Sequence, residues 1–318
     1  MKIVFLDRGT FPQWASFPVE SHQWVIYEET RPGQVFERAQ DADIIITNKV
    51  VLSAELLEKL NVLKMIAITA TGTNNVDLIK CTELGIAVAN VSGYAANTVA
   101  EHTLAQLFAL SRNLLAYQQS MIQGKWSLSP HFCHFEAPIS DLHSSTLCII
   151  GSGAIGNSLS DKAQCLGMTV IKADDRKADS PDYYSIHQAL PLADHVVLCC
   201  PLTDETRGLI SETEFKLMKP TSLLINNSRG GIVDEQALVN AIKSQQIAGV
   251  ALDVSDIEPM PKDSPLGSIM DRNNVIITPH AAWGSHSALT QLISHLLKNI
   301  ENFQTGNSSH FLVPGKRV

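Results

Sequence analysis

Arg229, Asp253, Glu258 and His280 each follow a short apolar run in the chain. Arg229 comes after LLINN, within Ser228-Arg229-Gly230-Gly231. Asp253 closes GVALD, Glu258-Pro259 stands five residues further on, and Pro279-His280 follows VIIT. A planar guanidinium can grip a carboxylate through two parallel hydrogen bonds and polarise the keto oxygen beside it. An imidazole titrates near neutrality and can hand over a proton as a carbonyl is reduced. A carboxylate beside that ring would fix its orientation and stabilise its protonated form. Taken singly, each residue has an ordinary explanation: a structural pair, a solvated acid, a loop histidine. Together at three strand ends they suit the reduction of a 2-keto acid, provided a hydride source lies alongside.

The segment TLCII-GSGAIG-NSLSDKAQCLG supplies the expected place for one. It reads as a strand, then Gly151-x-Gly153-x-x-Gly156 enclosing Ala154 and Ile155, then a helix. In this pattern the first glycine allows a tight turn, the second lets backbone approach a pyrophosphate, and the third lets helix pack on strand. The N–H groups at the start of the helix then face the phosphates. Asp174 stands eighteen residues after Gly156, at the end of MTVIKA, where a carboxylate accepts the ribose hydroxyls and repels a 2′-phosphate. Arg176 and Lys177 are of the type that accommodates that phosphate, so acid and bases compete. NAD is the expected cofactor.

The elements that must position these residues alternate along the whole chain. KIVFL, QWVIY, DIIIT, MIAIT and GIAVA read as strands separated by helical spacing, which implies βαβ units around a parallel sheet. A long helix is predicted from Asn97 to Gln123, and residues 125–145, with Pro130 and Pro138, read as loop. A second series places strands at 146–150, 168–172, 195–200, 221–226, 247–253 and 275–278, the count of a doubly wound dinucleotide-binding sheet. A last helix spans about Ser285 to Phe303. The expected fold is α/β with two doubly wound parallel sheets. Residues 1–98 and 288–318 would form a substrate-binding domain, and residues 99–287 an NAD-binding domain.

Composition narrows the function classes. The 318 residues are 45% hydrophobic and 18% charged with a net charge of −8, which gives no footprint for nucleic acid or anionic lipid. No apolar run reaches the ~18–20 residues that span a bilayer. The opening MKIVFLD reads as a strand rather than a secretory leader. Cysteines 81, 133, 148, 165, 199 and 200 form no Cys-x-x-Cys pair, and their apolar settings suggest a reducing, cytoplasmic compartment. His131, Cys133, His134 and His143 fit no common zinc spacing, so no metal is expected there.

With these residues placed, the chain resembles the D-isomer-specific 2-hydroxyacid dehydrogenases, and within them the glycerate dehydrogenase (hydroxypyruvate reductase) branch. The likeness runs through TATGTNNVDL, NTVAEHTL, GSGAIG, CPLTDET, NNSRGGIVDEQAL, GVALDV, IEP and TPHAAW. It implies that Arg229 is the substrate-binding catalytic arginine, His280 the acid/base and Glu258 its partner. It also implies that Asp253 meets the nicotinamide carboxamide, that Thr71 and Gly72 offer backbone amides to the substrate carboxylate, and that Thr98, Cys200, Pro201 and Ser228 line the cofactor. A flavodoxin-like and a Rossmann-like domain with the site in the cleft between them, and a homodimer through the cofactor domains, belong to the same implication.

Two positions depart from the usual pattern. Gly231 stands where a bulkier residue or proline is frequent, which predicts a looser loop behind Arg229. Trp283 stands where many members have glycine, which predicts rejection of large substrates. Its indole N–H, or Asn74 or Asn75, is expected to meet the 3-hydroxyl of hydroxypyruvate. The rival readings are an NAD-sensing regulator of the same fold, which would need an extended peptide-binding tail not expected here, and a dehydrogenase for another acid such as D-lactate. The related formate dehydrogenases replace the glutamate that Glu258 matches.

Overall fold

A computed structural model describes residues 1–17 and 22–316. The chain divides into two compact units, Met1–Ala95 with Gly284–Val318, and Ala96–Trp283. The first unit holds β1 (Lys2–Phe5), β2 (Gln23–Ile26), β3 (Ile44–Thr47), β4 (Met65–Ile68) and β5 (Ala87–Ala89). All pair in parallel in the order β2-β1-β3-β4-β5, the flavodoxin-like order. Ile44, Ile45 and Ile46 are all buried, as befits a strand covered on both faces. The helix His286–Gln304 packs in this unit against β4, so the C-terminal segment returns to the N-terminal sheet.

The second unit holds β6 (Thr146–Ile150), β7 (Thr169–Ala173), β8 (His195–Leu198), β9 (Leu223–Asn226), β10 (Gly249–Leu252) and β11 (Val275–Ile277). Their order is β11-β10-β9-β8-β6-β7, again parallel throughout. Tyr184 adds a single parallel bridge to Ala173 beyond β7. With that bridge counted as a vestigial strand, the order is the Rossmann order, and it reverses between β6 and β8. Alternate residues of β6 feed different cores: Cys148 and Ile150 one, Leu147 and Ile149 the other. Period-two alternation thus covers the sheet on both faces.

Two boundary expectations are corrected. Five of the six later strands differ from the sequence ranges by one or more residues at an end; β8, β10 and β11 stop early because their last expected residues leave the ladder to become loops, while β7 is shifted by one and β9 starts two residues later. The long helix is two, Ala96–Ser111 and Leu114–Ile122. Asn113 breaks it in a left-handed conformation (φ 50°), a region asparagine tolerates. Its side chain donates to the Pro138 carbonyl at 2.6 Å, and the Tyr117 hydroxyl donates to the Ala137 carbonyl at 2.7 Å. The break therefore docks the following loop onto the second helix.

Candidate active site

The glycine loop lies after β6, beside the point where the strand order reverses. Gly151 has φ 109°, and a Cβ there would come within 2.7 Å of the Cys199 carbonyl at the end of β8. A Cβ on Gly156 would meet the Gly151 carbonyl oxygen at 2.9 Å, so close helix–loop packing needs glycine there too. Gly153 differs: it N-caps the helix Ala154–Cys165, and nothing lies within 4 Å of where its Cβ would be. That open space in front of a helix N-terminus fits a pyrophosphate. Ala154 and Ile155 form the first turn of that helix.

Asp174 follows β7 and is nearly buried, yet its carboxylate is engaged by Arg176 through Nε at 3.1 Å and Nη2 at 3.3 Å. The Arg176 guanidinium holds the Asp174 carboxyl below the usual carboxylate range. Lys177 donates to Ser152 of the glycine loop at 2.6 Å. The two bases named in the sequence are thus paired with the site's own groups. Cys200 is buried, with Pro201 exposed beside it, and burial pushes the thiols of Cys199 and Cys200 up to about 12 and about 11. Thiols this basic stay protonated and are poor nucleophiles at neutral pH. Thr98 sits half-buried in the first turn of Ala96–Ser111.

The ends of β9, β10 and β11 are neighbours in the sheet, and each delivers part of the acid–base group. His280 Nδ1 lies 2.6 Å from Glu258 Oε2, and Nε2 has no partner among the described residues. His280 is left-handed at φ 51°, a cost of roughly 1–2 kcal/mol for a residue with a Cβ. Asp253 offsets it. Only 1% exposed, it accepts from Ala281 N (2.9 Å) and Thr278 Oγ1 (2.5 Å) on one oxygen and from Ala282 N (2.8 Å) on the other. The segment around His280 hangs on one buried carboxylate, by a threonine hydroxyl before it and two main-chain N–H groups after it.

Arg229 sits in a loop knotted by Asn226. Asn226 Oδ1 accepts from the Ser228 N–H and hydroxyl at 3.1 and 2.9 Å, while its Nδ2 donates to the Arg229 carbonyl at 2.9 Å. Arg229 spends Nη1 on the Ser228 carbonyl (2.7 Å), which leaves Nε and Nη2 without partners among the described residues. Gly230 is required because any Cβ would overlap the Ser255 carbonyl.

The loop is not loosened by Gly231, contrary to expectation. Its N–H donates to Asp256 Oδ1 at 2.7 Å, a bond proline could not make, and its carbonyl accepts from Gly208 at 2.7 Å. Asn226 and Asp256 escaped the sequence reading; a double asparagine at a strand end was the available sign of a side-chain-closed turn.

The expectation for Trp283 changes as well. Its indole N–H donates to the His280 carbonyl at 2.9 Å, so it braces the His280 loop rather than offering that proton to a substrate hydroxyl. Asn75 is likewise used at home, donating from Nδ2 to the Val50 carbonyl at 3.0 Å. In the first unit, Thr71 and Gly72 follow β4. Asn90 Nδ2 holds the Thr71 carbonyl at 2.8 Å, and neither residue's backbone N–H has an acceptor among the described residues. His134 pairs with Glu136 at 3.1 Å, and no group of three or more metal-ligating side chains is gathered among the described residues.

A dinucleotide loop beside a His–Glu pair and an arginine on adjoining strand ends is matched by known proteins. The sequence profile of the D-isomer specific 2-hydroxyacid dehydrogenase NAD binding domain matches residues 104–282. The chain belongs to that family. It is 41% identical to a glycerate dehydrogenase of Methylorubrum extorquens over 309 residues, covering 96% of each chain. It is 33% identical to a hydroxypyruvate reductase of Blautia hydrogenotrophica, over 96% of this chain and 98% of that one. Among solved structures, D-lactate dehydrogenase from Aquifex aeolicus, complexed with NAD and lactic acid, superposes with a TM-score of 0.84 at 27% identity, over 98% of this chain and 99% of that one. The enzyme is thus an NAD-dependent 2-hydroxyacid oxidoreductase built from two parallel α/β sheets. Among its described residues, no helix is long and apolar enough to cross a membrane.

Proposed function

We propose that the enzyme reduces hydroxypyruvate and glyoxylate to D-glycerate and glycolate. The 2.6 Å His280–Glu258 pair, on strand ends adjoining that of Arg229, carries this reading. The names of the relatives in glycerate dehydrogenase and hydroxypyruvate reductase support the choice of acid. NADH, when bound, supplies a hydride to the keto carbon. Gly151, Gly153, Ala154, Ile155 and Gly156 receive its pyrophosphate, Asp174 its adenosine ribose, and Thr98, Cys200, Pro201 and Ser228 line its path. Asp253 would serve the nicotinamide end. Arg229 presents Nε and Nη2 to the substrate carboxylate and keto oxygen, and the free amides of Thr71 and Gly72 take the carboxylate. His280 Nε2 delivers the proton to the oxygen as hydride reaches carbon, and Glu258 stabilises the ring while it is charged. Trp283 restricts the volume beyond His280.

On this reading Met1–Ala95 with the C-terminal segment is the substrate-binding domain and Ala96–Trp283 the cofactor domain. A homodimer through the cofactor domains is supported by a run of exposed apolar side chains in that unit. Leu128 is 84% exposed, Phe132 91% and Phe135 78%, far more than isolated surface residues require. Six free cysteines support a cytoplasmic setting.

The test follows NADH oxidation with hydroxypyruvate, glyoxylate, pyruvate and 2-ketoisocaproate, in wild type and in His280→Ala. Hydroxypyruvate and glyoxylate should lead the panel by kcat/KM, and His280→Ala should lose about 10²–10⁴-fold in kcat while still binding NADH. Preference for 2-ketoisocaproate, or an almost fully active His280→Ala, sinks the reading.

A further inference from the structure

Behind the two catalytic loops runs a chain of polar side chains that the reaction itself does not use. On the helix Ala96–Ser111, His102 and Gln106 are one turn apart, and Gln106 Nε2 lies 3.0 Å from His102 Nε2. Toward β11, His102 Nε2 is 3.3 Å from the Thr278 hydroxyl, which donates to Asp253, the carboxylate that holds the His280 backbone. Toward β9, Gln106 Oε1 accepts from Asn227 Nδ2 at 2.9 Å, and Asn227 directly precedes Ser228 and Arg229. The same Nδ2 donates to the Thr103 hydroxyl at 2.9 Å. Gln106 and Thr103 are buried, on a helix whose other buried residues are Val99, Ala100, Leu107, Leu110 and the terminal Ser111. Buried amides and hydroxyls desolvate at a cost of several kcal/mol unless bonded, which a purely packing helix would avoid.

The donor directions converge on His102: Thr278 spends its one proton on Asp253, so its oxygen packs against His102 Nε2 at 3.3 Å without a hydrogen bond, while the helix side is hydrogen-bonded. Asn227 donates to Gln106, so the Gln106 amide nitrogen faces His102 and gives its proton to Nε2. Asn227 Oδ1 is buried with no partner, so the amide's hold on its loop rests on the two Nδ2 bonds alone. Resting on the oxidoreductase reading above, we propose that His102, Gln106 and Asn227 form a half-buried relay tying the His280 loop to the Arg229 loop. His102 and Asn227 are accordingly positioning residues that set proton donor and guanidinium in register on the same carbonyl.

A double-mutant cycle tests this, with His102→Ala, Asn227→Ala and the pair assayed for keto-acid kcat/KM, NADH affinity by fluorescence, and Tm. Each single variant should lose about 10–100-fold in kcat/KM, the scale of a misplaced reacting group, with NADH affinity within about twofold. The double variant should be no worse than the weaker single, since either break severs the same relay. His102→Gln, which keeps an acceptor for Gln106, should recover most of the loss at an unchanged KM for NADH. Where His102→Ala does not accumulate as folded protein, Gln106→Met removes both amide bonds at similar volume and serves in its place. Losses that multiply, or that follow Tm without rescue by His102→Gln, overturn the relay. A wild type inactive on every 2-keto acid would instead refute the functional reading. The relay is then judged by NMR: the Asn227 side-chain amide resonances should move on His102→Gln, and fixed resonances reject it.

Discussion

Arg229 shows how much of a side chain's chemistry is decided by what it is already bonded to. One of its nitrogens is spent on Ser228, and the remaining edge is what a carboxylate would meet. Lysine retains the charge but cannot serve both partners with a planar fork. Arg229→Lys should therefore lose at least about 100-fold in kcat/KM for the keto acid, with NADH affinity preserved, and near-normal kinetics would make Arg229 structural. Asp174 is decided by its neighbour in the same way. Asp174→Ala frees Arg176 for a 2′-phosphate, so the NADH-over-NADPH ratio of kcat/KM should fall about tenfold or more, in line with charged hydrogen bonds worth about 1.5–3 kcal/mol. A ratio that stays put would show that Asp174 does not select the cofactor. The residue types at these positions were legible in the sequence because strand ends in open α/β sheets collect ligand-facing groups. The partners of Trp283 and Gly231 were not, because a hydrogen bond to a main-chain carbonyl or a distant aspartate leaves no pattern in residue spacing.

Strands were readable from apolar runs, and helices from their periodicity, but not where a helix stops for a reason outside itself. The break at Asn113 exists because residues 137 and 138 dock there, a tertiary event. The relay on Ala96–Ser111 escaped for a related reason: His102 and Gln106 look like ordinary polar helix residues until β9 and β11 are laid beside them. Strand β8 has a titration of its own. His195 opens it, is buried, and its Nδ1 has no partner; burial depresses the imidazole from 6.5 to about 4. Between these two values the unfolded chain binds the proton and the folded one does not, so stability rises with pH across the window. It is fully present above 6.5 and lost as pH falls towards 4, by at most about 3 kcal/mol. His195→Leu should flatten the urea-unfolding free energy between pH 4 and 6.5; an unchanged slope would assign acid lability to other groups.

At the scale of the whole molecule, the exposed Leu128, Phe132 and Phe135 predict that Phe132→Asp shifts the protein from dimer to monomer by sedimentation, with its circular dichroism unchanged. A wild type that sediments as a monomer removes the dimer from the picture. The other boundary of the cofactor unit is the outer side of its sheet, where β7 is met by one bridging residue, Tyr184, in place of a strand. That bridge has two main-chain bonds, Tyr184 N to the Lys172 carbonyl at 2.9 Å and Asp174 N to the Tyr184 carbonyl at 3.2 Å. The acid proposed to receive the adenosine thus follows an edge strand whose outer side has this one bridge, while β6 and β8 are paired on both sides. Local opening is easiest where the fewest bonds must break, so amides 174–186 should exchange deuterium far sooner than those of β6. NADH should slow that exchange selectively, since a ribose bridging Asp174 and the glycine loop does what a full third strand would have done. Equal protection of both regions without NADH would show that one bridge suffices. If the selective slowing is seen, part of the free energy of cofactor binding goes into finishing the fold, and affinity for the nucleotide becomes a readout of how well that edge is knit.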